Sequence, residues 1–224
     1  MTSVSFDSSI NNIYNNSAVL VLGGNLPSKK CIEIHINLSH EFVAADSGII
    51  KLLKKNLIPK YVIGDLDSIV GNESKLIEKK IILVKFKSNF TNDFEKTLNW
   101  LKKRNYKMIT LFGVSGGDSD HTLNNFSIIS KYSSSLKFEI IENNYDVVIL
   151  NSKNQNVLVR EMIVGKRISL IPLSKAKVTT KGLRWNLKNE LLEIGKREGA
   201  SNYNLNKRIQ IDVSYGCLAV YIFK

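Results

Sequence analysis

The stretch Tyr61-Val62-Ile63-Gly64-Asp65-Leu66-Asp67-Ser68 runs from apolar side chains straight into two carboxylates and a polar turn. Read as the end of a buried strand, it sets Asp65 and Asp67 at the strand's carboxyl end, pointing the same way by the alternation of strand side chains. Gly64, lacking a side chain, lets a ligand come close to the backbone. Paired carboxylates at such a place suit a hard cation, and Mg²⁺ favours oxygen ligands shared between carboxylates and a nucleotide's phosphates. Asp and Ser are also common turn residues, so the segment by itself is equally a plain turn.

Outward from this stretch, short apolar runs recur at residues 18–22, 42–45, 81–84, 108–112 and 136–141. Amphipathic helical patterns lie between several of them: Ile49, Ile50, Leu52 and Leu53; Phe94, Leu98 and Leu101; and Leu123, Phe126, Ile128 and Ile129. Strands alternating with helices predict a mostly parallel sheet, and such α/β folds bind ligands outside the carboxyl ends of their strands. After about Asn143 the pattern changes to short, often alternating segments between residues 147 and 223, with no helical stripe among them. That is the pattern of a β-sandwich or barrel. The expected fold class is α/β plus all-β: a polar extension over 1–16, a mostly parallel α/β sheet domain over 17–144 and a β-sandwich domain over 145–224.

A chain of 224 residues can bury a core without disulfides or structural zinc. Cys31 and Cys217 stand far apart and form no CxxC pair, which favours a reduced setting. Met1–Asn16 is rich in Ser and Asn and lacks a signal peptide's basic and apolar regions, and no apolar stretch approaches the roughly 20 residues that span a bilayer. A soluble, cytoplasmic protein with no membrane partner is the expectation. The net charge of +12 is uneven: residues 1–150 carry 18 basic and 15 acidic side chains, residues 151–224 carry 14 and 5. Basic residues in the second part are scattered through alternating segments with few aromatics and no helix-turn-helix, so nucleic acid is not the expected partner.

Acidic residues recur where strands end. Asp46 follows Phe42-Val43-Ala44-Ala45 and precedes Ser47-Gly48. Asp93 opens the helical pattern Phe94-Glu95-Lys96, where a helix N-cap is the alternative role. Asp120 sits in Gly113-Val114-Ser115-Gly116-Gly117-Asp118-Ser119-Asp120-His121, a glycine-rich turn leading into a helix. There, backbone N–H groups and the helix dipole suit a phosphate, with Gly116 and Gly117 as the candidate cradle. One rim carrying Asp46, Asp65, Asp67, Asp93 and Asp120 with no arginine nearby would repel itself unless a cation joined it, so a divalent metal is expected. No P-loop or kinase-type catalytic loop occurs. His121 reads as a helix-start histidine satisfied by a neighbouring carboxylate rather than as a base.

In order and spacing, Ala45-Asp46-Ser47-Gly48, Gly64-Asp65-Leu66-Asp67-Ser68, Asn92-Asp93-Phe94-Glu95-Lys96 and Gly116-Gly117-Asp118-Ser119-Asp120-His121 resemble the motifs of the thiamine pyrophosphokinase family. Thr179-Thr180-Lys181-Gly182-Leu183-Arg184-Trp185-Asn186-Leu187 and Gly199-Ala200-Ser201-Asn202 extend the resemblance into the β-rich part. It implies a homodimer with its active site between subunits, ATP and Mg²⁺ held by the aspartates, and diphosphoryl transfer from ATP to the thiamine hydroxyl with release of AMP. Asp65, Asp67 and Asp93 would be the metal ligands, while Asp46 and Asp120 would complete the acidic rim. Trp185 would take the flat, cationic thiamine by stacking and cation–π attraction, with Ser201 and Asn202 hydrogen-bonding it; outside the family context Trp185 reads as a sandwich-core residue. A pyrophosphokinase for another heterocyclic alcohol, such as a hydroxymethylpterin, and a non-catalytic thiamine- or nucleotide-binding relative are the competing readings.

The chain departs from the family pattern at three places. Ser47 replaces a glycine, Ser88-Asn89-Phe90-Thr91-Asn92 replaces a more polar stretch ahead of Asp93, and Asp118 stands where an arginine is usual. Lys96 and the basic carboxyl-terminal part are the candidate cations to compensate at the nucleotide.

Overall fold

The computed structural model of the chain describes residues 16–86 and 91–224. The expected extension, apart from Asn16, and Ser88–Phe90 lie outside the described residues. The chain forms two compact units, one of residues up to Gly23 with Ser28–Thr110, the other of Gly24–Pro27 with Leu111–Lys224.

In the first unit, β1 (Ser17–Val21), β2 (Glu41–Ala45), β3 (Tyr61–Gly64) and β4 (Ile82–Lys85) lie side by side in that order, and every pairing is parallel. β1 and β2 are buried at every position, as strands covered on both faces require, which explains runs such as Ala-Val-Leu-Val in place of alternation. Between the strands come α1 (Lys29–Leu38), α2 (Gly48–Lys54), α3 (Glu73–Glu78) and, after β4, α4 (Asp93–Lys103). The α4 stripe of Phe94, Leu98 and Leu101 is buried, and the helix packs on β2 and β3. α1 has no comparable stripe: Ile32, Ile34, Ile36 and Leu38 alternate as in a strand and only Ile32 is buried. Its start is fixed by Ser28, whose hydroxyl accepts from the Cys31 N–H.

The division between units falls inside β5 (Met108–Phe112). The second unit continues with α5 (Ser119–Tyr132), β6 (Lys137–Ile141) and β7 (Tyr145–Asn151). β6 and β7 pair antiparallel, and Glu142 N–H donates to the Tyr145 carbonyl at 3.0 Å. Asn143–Asn144, where the sequence suggests a domain boundary, is the tip of this hairpin, and both its strands lie in the same unit.

The remaining strands are β8 (Val157–Glu161), β9 (Arg167–Pro172), β10 (Ala176–Lys181), β11 (Glu190–Leu192), β12 (Gly199–Tyr203), β13 (Arg208–Tyr215) and β14 (Cys217–Phe223). Antiparallel pairing orders one sheet β6-β7-β14-β9-β12 and the other β11-β10-β13-β8. Leu150, Ile168, Leu170 and Val220 of the first sheet and Val178, Leu192, Ile211 and Val213 of the second share one core, so the two sheets form a sandwich. Each such side chain contributes about 1.5–3 kcal/mol relative to exposure. β13 alternates buried Ile209, Ile211 and Val213 with more exposed neighbours, the period-2 pattern read from the sequence.

Candidate functional site

Three carboxylates converge at the strand ends of the first unit. The register pairs Ala45 with Ile63, and Asp46 N–H donates to the Ile63 carbonyl at 2.9 Å, which sets Asp46 beside the end of β3. Gly64 closes that strand, and a Cβ there would lie 2.9 Å from both Asp46 Cβ and Asp93 Cγ. Any side chain at Gly64 would therefore drive Asp46 and Asp93 apart. At the start of α4 the capping is done by Asn92, whose side chain accepts from Glu95 N–H at 2.9 Å. Asp93 is thereby free for other work: its Oδ1 accepts from Asp65 N–H at 3.0 Å and from Lys96 Nζ at 2.9 Å. One carboxylate oxygen from each of Asp46, Asp65 and Asp93 lies within 4.8 Å of the others.

The rim is not free of protein cations, as the lack of arginine suggested. Lys96 is 5% exposed, and its ammonium also reaches Asp65 Oδ2 at 3.3 Å. Burial pushes the Lys96 pKa down, but the hydrogen bonds and charges of Asp93 and Asp65 outweigh it, and the group is held above its ordinary value as an ammonium. It sits among the carboxylates. Asp46 is left without such help. Burial raises its pKa, hydrogen bonds from Ser68 oppose the rise, and the charges of Asp93 and Asp65 add to it. Asp46 Oδ1 is buried with no hydrogen-bond partner, and Asp46 has a positive φ of 27°, a strained setting of the kind that collects at functional sites. Three carboxylates against one ammonium, one oxygen among them unsatisfied, fit a hard divalent cation, which takes oxygen ligands alone.

Asp67 stands apart from this group. β3 ends at Gly64, Leu66 is left-handed at φ 66°, and Asp67 opens a 3₁₀ turn over Asp67–Ile69, so strand alternation no longer governs where Asp65 and Asp67 point. Asp67 is exposed and its N–H donates to Asp65 Oδ1 at 3.3 Å.

The glycine-rich loop and Asp120 belong to the second unit. Gly116 has a φ of 85° and lies so close against Asn25 that a Cβ would overlap that side chain, while Gly117 faces open space. Asp118 is the N-cap of α5 in extended conformation, with no side-chain capping bond, and with Asp120 and His121 it forms an exposed trio within 4.8 Å.

Trp185 is not a core residue. It is 55% exposed and borders a cavity of about 200 Å³ walled also by Leu170, Leu192, Arg197, Gly199 and Asn202. The Arg184 guanidinium lies 4.9 Å from the Trp185 ring centroid. Asn202, 5% exposed, is engaged by backbone: its Oδ1 accepts from Trp185 N–H and Tyr203 N–H, and its Nδ2 donates to the Trp185 carbonyl at 2.8 Å. The amide expected to meet a ligand therefore also fixes the tryptophan. Ser201, at the bulge of β12 with φ 60°, is exposed and donates its N–H to Ser169 Oγ at 3.0 Å.

Two residues escaped the sequence reading. Asn25, directly after Gly23-Gly24, packs on Gly116, and Glu142, directly after Ile140-Ile141, accepts from Ser115. The strand-end signal that found the aspartates applies to Glu142 as well.

A parallel α/β unit with three converging carboxylates stands in one chain with a β-sandwich that presents a cavity bordered by Trp185. Two family models match the chain: thiamin pyrophosphokinase, catalytic domain, over residues 34–141, and thiamin pyrophosphokinase, vitamin B1 binding domain, over residues 153–218. The chain belongs to the thiamin pyrophosphokinase family. It is 27% identical over 183 residues to thiamine pyrophosphokinase of Bacillus subtilis (strain 168), covering 79% of this chain and 84% of that protein. The crystal structure of thiamine pyrophosphokinase from Bacillus subtilis superposes with a TM-score of 0.76 at 23% identity, covering 93% of this chain and 99% of that one. Thiamin pyrophosphokinase from Candida albicans gives 0.74 at 17% identity, with coverage of 96% and 90%. These likenesses show a shared fold.

Proposed function

We propose that the chain transfers a diphosphoryl group from ATP to the hydroxyl of thiamine, giving thiamine diphosphate and AMP. The observation that carries this reading is the convergence of Asp46, Asp65 and Asp93, with one Asp46 oxygen unsatisfied, within a chain that matches both family models. Mg²⁺ is the ion that suits those donors; when bound it neutralises phosphate charge as the diphosphoryl group moves. Asp65 and Asp93 would hold it, joined by Asp46, and Asp67 would complete the set from the exposed side. Lys96 keeps the carboxylates in register before substrate binds and adds a cation to the rim afterwards. Gly116 and Gly117 cradle phosphate, with Asp120 beside them at the start of α5. Trp185 takes thiamine on its exposed face, Asn202 holds the tryptophan in place, and Ser201 offers a hydroxyl to the ring. By function we divide the chain into a nucleotide-binding part over 17–144 and a thiamine-binding part over 145–224, a division supported by the gap between the two family matches at 141 and 153 and distinct from the spatial division inside β5. We place the protein in the cytoplasm, where the thiols of Cys31 and Cys217 stay reduced.

Purified protein incubated with ATP, Mg²⁺ and thiamine should yield AMP and thiamine diphosphate in equal amounts, and Asp65→Asn should lower kcat at least about hundredfold, the scale on which lost transition-state charge stabilisation is felt. Thiamine binding with neither product would overturn the reading in favour of a non-catalytic relative; ADP in place of AMP would exclude transfer of the diphosphoryl unit.

A further inference from the structure

The turn after β6 holds a buried carboxylate that the reading above leaves without a role. Glu142 is 5% exposed, and its Oε1 accepts from Ser115 twice, from the N–H at 3.3 Å and from Oγ at 3.0 Å. The Tyr145 hydroxyl lies 3.4 Å from the same Ser115 Oγ. Lys224 Nζ donates to the Glu142 carbonyl at 2.5 Å and lies 2.9 Å from Asp146 Oδ1, so the turn carrying Glu142 is itself tied down. Burial raises the Glu142 pKa; the Ser115 bonds and the Lys224 charge oppose the rise.

The glycine-rich loop is held at each of its first three carbonyls by a different partner. Gly113 accepts from Gly24 N–H at 2.9 Å, Val114 from Asn125 Nδ2 at 2.9 Å and Ser115 from Asn25 N–H at 2.7 Å. Glu142 takes the Ser115 N–H. Directly after Ser115, Gly116 takes a φ of 85°, and Gly117 has open space where a side chain would be.

We infer that Glu142 is a positioning residue for the nucleotide, acting through Ser115 to hold the glycine-rich loop in the conformation that presents the Gly116 and Gly117 N–H groups to phosphate. The inference rests on reading that loop as the phosphate cradle. What the position demands is an acceptor able to take two hydrogen bonds, so geometry and not charge carries the role. Glutamine keeps the acceptor oxygen, whereas leucine keeps the bulk without it.

The test measures the ATP dissociation constant without thiamine, together with KM and kcat for both substrates. Glu142→Leu should weaken ATP binding and raise the ATP KM about tenfold, with kcat and the thiamine KM within about twofold, as loss of a buried hydrogen-bond acceptor predicts. Glu142→Gln should stay within about twofold of the unaltered protein throughout. Should Glu142→Leu fail to fold, Ser115→Ala, which removes only the Oγ donor, should weaken ATP binding about threefold. Unchanged ATP affinity in the folded Leu variant, or in the Ala variant where it stands in, overturns this inference alone. Equal impairment of the Gln and Leu variants also overturns it, since charge would then be what matters. An unaltered protein that binds no ATP overturns it together with the cradle reading.

Discussion

The Lys96 ammonium bridges Asp65 and Asp93 from a nearly inaccessible position. Lys96→Met keeps the length of the side chain and removes the charge, leaving three carboxylates to face one another. Breaking a buried pair by removing one partner costs about 3–5 kcal/mol, and the partial exposure of Asp65 and Asp93 reduces this to about 2 kcal/mol. Urea unfolding in the presence of a chelator should show that loss, and Mg²⁺ should restore more stability to the variant than it adds to the unaltered protein. Equal stability of the two proteins without metal would remove Lys96 from this role. The i,i+3 spacing of Asp93 and Lys96 was open to view in the sequence; the bond from Lys96 to Asp65 was not, because it spans 31 residues. Asp67 illustrates the reverse: alternation predicted it beside Asp65, and the left-handed Leu66 ended the strand geometry on which that expectation rested.

At the scale of the element, the start of α4 is where the chemistry and the helix could have competed. A helix N-terminus leaves several N–H groups without partners, and Asp is a favoured residue for satisfying them. Asn92 caps the helix instead, so Asp93 turns its carboxylate to Asp65 and Lys96. Asn92→Ala should lower the unfolding free energy by about 1 kcal/mol, the usual cost of a lost cap, and Asn92→Asp should restore it. Equal stability of the Ala and Asp variants would show that the cap is immaterial. The amphipathic stripes of α2 and α4 were legible because their apolar side chains recur at helical spacing; the same spacing found α5, but of its expected stripe only Ile128 and Ile129 are buried, Phe126 is half-buried and Leu123 is 73% exposed. Helices α1 and α3 were not legible in this way: each buries one apolar residue, Ile32 and Leu76 respectively, and what defines α1 locally is its Ser28 cap.

For the whole molecule, the resemblance implies a homodimer, and the sandwich offers a surface suited to one. β8 is an edge strand whose Val157 and Val159 are exposed, followed by exposed Ile163 and Val164, and an apolar edge of this kind invites pairing unless it is covered. Light scattering should return about twice 25.3 kDa across the working concentration range; the monomer mass throughout would exclude the assembly. No helix among the described residues is long and apolar enough to cross a membrane. The change from alternating strands and helices to strands alone near residue 143 was readable because the two sheet types impose different patterns on the sequence: unbroken apolar runs where both faces are covered, alternation where one face is. The sequence by itself therefore determined the two architectures, the strand-end aspartates and the tryptophan. Which carboxylates meet, that Lys96 reaches Asp65, that Asn202 braces Trp185 and that Glu142 holds Ser115 were decided by tertiary structure, because each joins residues whose approach depends on strand register and helix packing, and spacing along the chain carries no record of either.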